Sequence, residues 1–366
     1  MSTIPMFWPY MPAEKIEKAL SKVLKTRWIG QGPGVEKLEA RFKDMFKVPY
    51  AVSVNSCTSA LHLALIMSGV SRGDQVITTP MTCSATNIPI LYCGGEPVFC
   101  DIQEDTLNID PKTIARRITK KTKAIMVVHW AGYPVDLEEI QNIAKEYKLK
   151  IIEDAAHALG ARYHGKFIGS ISDYTCFSFQ AIKQITCGDG GMLAVLNEKD
   201  CQRAKILRWY GIDRNFKGDI YWKYQITEIG YKYHMNDINA TMLLVQLDEL
   251  RKVLERRRAI VDMYLENLVN VKGLKLPKRT LDRESGNWLF TILVEKRENF
   301  MQKLKENGVE SHMVHVRNDI YPIFGGKRLD LPVMNEVEPK YVSIPLHTNL
   351  TDEDVQKIIR TIKSGW

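Results

Sequence analysis

The chain has 366 residues, of which 45% are hydrophobic and 26% charged, a balance that suits a folded protein able to bury two cores and excludes disordered and collagen-like classes. No apolar run approaches the ~20 residues of a membrane-spanning helix, and MSTIPMFWPYMPAEK lacks the basic head and long apolar body of a secretion signal, so a cytoplasmic protein without a membrane partner is expected. The formal net charge of +8 is spread along the chain; the densest basic runs, 116–123 and 251–260, alternate with aliphatics at helical spacing and carry no aromatics, which predicts solvated helix faces rather than a nucleic-acid surface and suits an anionic small substrate.

Between residues 50 and 200, β-rich runs alternate with helical patterns. Strands are expected at 50–56, 74–80, 97–102, 124–130 and 150–156, with helices at 58–70, 86–94, 111–121 and 136–147 between them. Near-continuous apolar strands separated by helices predict an α/β fold, with a mostly parallel central sheet flanked by helices. YTCFSFQ (174–180) and GMLAVLN (191–197) add two strands joined by a glycine-rich turn. A long helical pattern covers 235–268, and 287–294, 300–309 and 351–363 read as a small α+β unit. The boundary is placed within the long helix, dividing a large domain (1–250) from a small C-terminal one (251–366). The seven cysteines include no C-x-x-C pair and several lie in apolar runs, so reduced core thiols are expected, with neither disulfides nor a metal site.

Ligands of open α/β sheets bind at the carboxyl ends of strands, and three strand ends carry chemistry. At the first, Asn55, Ser56, Thr58 and Ser59 gather where a helix begins, which is either a cap or an anion site. At the second, Glu153 and Asp154 close a buried strand and His157 follows; a carboxylate there needs a partner, such as a protonated ring nitrogen, a lysine or a helix cap. At the third, Ser178 and Lys183 precede the turn CGDGG (187–191). A lysine so placed either pairs with a neighbouring acid or is an amine made nucleophilic by burial. An anion site, a carboxylate and a reactive amine are together what pyridoxal phosphate (PLP) asks of a protein.

These blocks, with WIGQGPGVEKLEARF, PMTCSATNIPI, EDAAHALGA, GYKYHMNDINA and SIPLHTNLTDEDV, identify a chain that resembles the DegT/DnrJ/EryC1/StrS sugar aminotransferases, PLP enzymes of the aspartate-aminotransferase fold (fold type I). The resemblance implies Lys183 as the Schiff-base lysine and Asp154 as the partner of the pyridinium nitrogen. It places His157 beside the ring hydroxyl, and Thr58, Ser59 and Ser178 at the phosphate. It also implies a homodimer with active sites shared across the interface, Lys232 and His234 reaching the neighbouring subunit's cofactor. Cys83 departs from the pattern, standing where many relatives stack an aromatic on the ring, and Gln180 is a milder variation. The implied partners are L-glutamate as amino donor and a keto-sugar, most simply nucleotide-linked, with His312, His315 and Arg317 as candidate substrate contacts. The product would be an amino-sugar for polysaccharide, lipopolysaccharide, glycan or antibiotic biosynthesis. A PLP-dependent sugar dehydratase and a non-catalytic PLP- or sugar-binding regulator are the alternatives on the same fold.

Overall fold

A computed structural model describes residues 3–214 and 224–366. The first part of the chain forms α1 (Ala13–Thr26), α2 (Pro33–Phe46), β1 (Tyr50–Val54), α3 (Cys57–Met67), β2 (Gln75–Thr78), α4 (Ser84–Tyr92) and β3 (Glu96–Phe99). There follow α5 (Pro111–Ile114), β4 (Thr122–Val128), α6 (Leu137–Tyr147), β5 (Lys150–Asp154), the short β6 (Arg162–Tyr163) and β7 (Lys166–Phe167), β8 (Tyr174–Ser178), β9 (Gly191–Val195) and α7 (Glu198–Leu207). The long α8 (Asp237–Asn267) leads to β10 (Leu274–Lys275), β11 (Arg283–Glu284), β12 (Phe290–Val294), α9 (Arg297–Glu306), α10 (Pro332–Val337), β13 (Tyr341–Ile344) and α11 (Asp352–Lys363). No described helix is long and apolar enough to cross a membrane.

Seven strands form one sheet in the order β1-β9-β8-β5-β4-β2-β3, in which only β9 runs against the rest. Side chains alternate between two apolar layers, as strand geometry requires. Ile125, Val127, Ile151 and Phe177 pack on one face with α2, α6 and the first half of α8. Ala124, Met126, Ile152 and Cys176 pack on the other with α3 and α7. Burial on both faces explains why the parallel strands read as unbroken apolar runs.

The second half of α8 contributes Ile260, Val261 and Tyr264 to another core, built with β12, β13, α9 and α11. That core also takes Ile4, which bridges to Val309. The first residues of the chain, counted with the large domain on sequence, therefore lie against the C-terminal unit. The helix expected over 111–121 is also shorter, since α5 stops at Ile114, a 3-10 turn covers Ala115–Arg117 and Ile118 is extended. Threonine hydroxyls compete for the backbone here: Thr122 accepts from the Thr119 N–H at 2.9 Å, and Thr119 from the Lys121 N–H at 3.1 Å. All seven cysteines are free thiols.

One strand in from the β1 edge of the sheet, β9 lies hard against the start of α3. A Cβ on Gly191 would lie 2.4 Å from the Ser56 carbonyl carbon and 2.7 Å from the Cys57 nitrogen, so only glycine lets the two backbones approach. Gly191→Ala is expected to destabilise the protein by about 1–3 kcal/mol through this overpacking. Urea denaturation checks it, and an unchanged midpoint would mean that α3 can retreat at no cost.

Candidate active site

The carboxyl ends of β1, β2, β5 and β8 converge on a cavity of about 310 Å³, lined among others by Thr58, Cys83, Asp154, His157, Ser178 and Lys183. Most of the residues singled out in the sequence thus meet in one place.

Strand alternation sends the two carboxylates of β5 to opposite faces. Glu153 lies in the core, where the His129 Nε2 is 2.7 Å away and the Thr175 hydroxyl donates at 3.1 Å. Because the Val135 N–H donates to His129 Nδ1 at 3.2 Å, the ring proton sits on Nε2 and Glu153 accepts it. Asp154 faces the cavity. Its Oδ2 accepts the Thr86 hydroxyl at 2.6 Å and its Oδ1 the Ala156 N–H at 3.0 Å, while Thr82 lies 2.6 Å behind Thr86. Burial raises the pKa of Asp154, and the Thr86 and Ala156 hydrogen bonds and the charge of Lys183 oppose that rise.

Lys183 sits in the 179–190 turn between β8 and β9. Neighbours tie the turn down: Gln184 Nε2 donates to the His157 carbonyl at 2.8 Å, Trp288 Nε1 to the Ile182 carbonyl at 2.9 Å, and the Thr186 hydroxyl to the Phe179 carbonyl at 3.1 Å. The side chain is buried, and desolvation lowers its pKa to about 8 against the pull of Asp154. A neutral, nucleophilic fraction of the amine is therefore present near physiological pH.

At the opposite end of the cavity, Ser56 caps α3 by accepting the Ser59 N–H at 3.1 Å. The Ser59 hydroxyl donates to Asn55 Oδ1 at 2.6 Å and serves the cap rather than the cavity wall. Ser56, Thr58 and Ser178 do line the cavity. Among the described residues, the first-turn N–H groups of Cys57 and Thr58 have no acceptor, so they and the helix dipole suit an anion.

Aromatic rings close one wall. The ring of His157 stacks on Trp288 at 3.8 Å and lies 5.7 Å from that of His315. His157 Nδ1 and His315 Nε2 are buried without a hydrogen-bond partner. Burial, then the nearby Lys183 charge, holds His157 well below its ordinary pKa and brings His315 down to about 4, so both rings are neutral.

Of the three candidate substrate contacts, only His315 lines this cavity. His312 is exposed; its backbone pairs with Ser343, and it borders a separate cleft with Glu298 and Met301. Arg317 has no exposed surface, and its donors are consumed by a bidentate pair with Asp319 at 2.7 and 2.6 Å and by Asn335, Glu338 and the Arg328 carbonyl. It knits the loop together and has no N–H left for a substrate. Lys232 and His234 also lie outside the cavity of their own chain. Their backbones bridge to Trp209 and Val54, and the His234 ring packs on Trp209 at 3.8 Å. Two site residues escaped sequence reading. Thr86 stands four positions after Thr82, a spacing that hinted at paired hydroxyls on one helix face, whereas nothing near Trp288 in the chain connects it with Lys183.

The DegT/DnrJ/EryC1/StrS aminotransferase family model matches residues 11–363. The spore coat polysaccharide biosynthesis protein SpsC of Bacillus subtilis is 33% identical over 375 residues, covering 98% of this chain and 96% of that protein. The crystal structure of the sugar aminotransferase CalS13 from Micromonospora echinospora superposes with a TM-score of 0.94 at 33% identity, over 99% of this chain and 100% of that one. Spr1654 from Streptococcus pneumoniae, solved in PLP and PMP forms, superposes with a TM-score of 0.92 at 31% identity in both, over 99% of this chain and, in the PLP form, 98% of that one. The chain belongs to this aminotransferase family, and its cofactor is PLP.

The raised pKa of Asp154 has a consequence for stability. Without cofactor, the folded protein binds a proton at Asp154 more tightly than the unfolded chain does. Stability at this residue is therefore lost as pH rises from the ordinary carboxylate range, near 4, through the raised value. Cofactor-free Asp154→Asn is expected to melt at or above the wild-type temperature at pH 8, with its advantage shrinking toward about pH 4. Calorimetry across pH measures this, and a variant less stable than wild type at pH 8 would contradict it.

Proposed function

We propose that this member of the DegT/DnrJ/EryC1/StrS family transfers an amino group from L-glutamate to a nucleotide-linked keto-sugar, producing an amino-sugar for polysaccharide or glycan assembly. The observation that carries the reading is a buried lysine amine, free of any acid partner among the described residues, in one cavity with a hydrogen-bonded carboxylate and an open helix N-terminus. The same residues fit PLP. Ser56, Thr58 and Ser178, with the Cys57 and Thr58 N–H groups, would hold the phosphate. Asp154 would accept the ring N–H, the unpartnered His157 Nδ1 would meet the ring hydroxyl, and Cys83 would flank the ring with less cover than an aromatic. When bound, PLP supplies an aldehyde that condenses with amines, Lys183 first among them, and a ring that accepts the electron pair left by a departing proton.

The chain's own residues supply the rest. With its pKa at about 8, Lys183 Nζ can accept the proton that leaves the donor's α-carbon in the first half-reaction and, in the second, deliver a proton to the sugar carbon. Asp154, kept in place by Thr86 and Ala156, holds the ring nitrogen's proton by accepting it in a hydrogen bond. His315 Nε2, unpartnered at the cavity wall, is positioned for a sugar hydroxyl. The net charge of +8 and the part of its relative SpsC in spore coat polysaccharide biosynthesis favour a phosphate-bearing sugar and a biosynthetic setting in the cytoplasm.

We also read the protein as a homodimer. Trp28, Ile29, Ile226 and Ile229 expose large apolar surfaces, and the last two adjoin the segment carrying Lys232 and His234. Covering this surface with a second subunit would bring that segment to the other subunit's cavity.

Lys183→Ala is expected to lower transamination by at least about 10²-fold and to abolish borohydride trapping of PLP on the 177–195 peptide. Formation of 2-oxoglutarate from glutamate with a panel of nucleotide-linked keto-sugars measures the first effect. Turnover at the wild-type rate would refute the assignment, and sugar dehydration without 2-oxoglutarate would favour a dehydratase. If sites are shared, subunits carrying Lys183→Ala and subunits carrying an inactivating change at Lys232, mixed and re-equilibrated, should recover about a quarter of wild-type activity, because half the dimers are hybrids with one intact site. No recovery would place each site within one chain.

A further inference from the structure

A buried cation and a buried carboxylate that share a cavity are expected to pair, since each otherwise bears its desolvation cost alone. Here they do not. Both Asp154 oxygens are engaged by Thr86 and Ala156, and Lys183 Nζ lies instead over the ring of Trp288, 3.6 Å from its centroid. We propose that Trp288 is the positioning residue of the Lys183 amine: its indole face receives the cationic side chain whenever that chain is not bonded to cofactor, and so keeps it from closing onto Asp154. The proposal rests on Lys183 being the cofactor lysine.

Trp288 is built as a fixed platform. Its Nε1 donates to the carbonyl of Ile182, the residue before the lysine, at 2.9 Å. Its own N–H donates to the Ala131 carbonyl at 2.9 Å, and its carbonyl accepts from Arg257 Nη1 at 3.2 Å. His157 packs on the ring at 3.8 Å. An ammonium over a desolvated indole is attracted by the ring quadrupole without being neutralised. The lysine thus stays charged, close and exchangeable, while Asp154 stays free for the ring nitrogen. A salt bridge between them would occupy both groups at once. The other titratable groups around Nζ are Cys57 on α3, Cys83 at the start of α4, and the neutral His157 and His315.

The test uses full-length protein stripped of cofactor, with Lys183 arylation by trinitrobenzenesulfonate followed against pH by mass spectrometry of its peptide. Wild type should show an inflection at about 8. In Trp288→Leu the amine should move to Asp154, raising the inflection to about 9 or higher, as expected for an opposite charge at close range. Adding Asp154→Asn should cancel that rise, and Trp288→Phe, which keeps a π face, should hold the wild-type value. An inflection unchanged or lowered in Trp288→Leu, or a rise that survives Asp154→Asn, would overturn the proposal. Circular dichroism confirms folding of each variant. The titration needs no cofactor, so it reads independently of borohydride trapping, which tests the role of Lys183 itself.

Discussion

An amine and a carboxylate buried in one cavity must not neutralise each other. Removing either from water costs several kcal/mol, and a salt bridge would be the shortest way to recover it. The protein recovers it separately. Asp154 is held by a threonine hydroxyl and a backbone N–H, and Lys183 by the face of an indole. Each group remains available for a ligand that presents a ring N–H to one and a carbonyl carbon to the other.

The architecture follows from that separation. Parallel strands deliver Asp154 and Ser178 to the same edge of the sheet, and the reversal of β9 returns the chain through a turn that places Lys183 opposite them. Gly191 allows α3 to start close enough for its N-terminus to face the cavity. His315 on the cavity wall and Trp288 against Lys183 both come from the chain beyond α8, so the surroundings of the lysine draw on both halves of the protein. Arg257, buried in α8 with donor contacts to the carbonyls of Asn287, Trp288 and Leu346, joins the helix that spans both cores to the strand entry that carries the indole.

Much of this was legible along the chain, because the features involved are local. Apolar strands and amphipathic helices announce themselves by period, and Asp154, Ser178 and Lys183 stand at strand ends where side chains of their kinds are conspicuous. Structure and expectation part where particular hydrogen bonds claim groups that residue type alone leaves open. The basic run after Ile114 has helical spacing, yet threonine hydroxyls take the N–H groups of Thr119 and Lys121. His312 and Arg317 have the chemistry of substrate contacts, but one pairs its backbone with β13 and faces outward while the other spends its donors on its own loop. Ser59, which the family resemblance places at the phosphate, donates its hydroxyl to Asn55 within the cap of α3.

The sequence by itself therefore determined the α/β class, the family and which residues are candidates for the chemistry, since periodicity and residue type are properties of short stretches. Only the tertiary structure decided which of those residues meet and in what state. Burial sets the charge of His157, His315 and Lys183, and burial depends on segments far away in the chain. The contact between Trp288 and Lys183 spans more than a hundred residues, and no pattern local to either position could encode it.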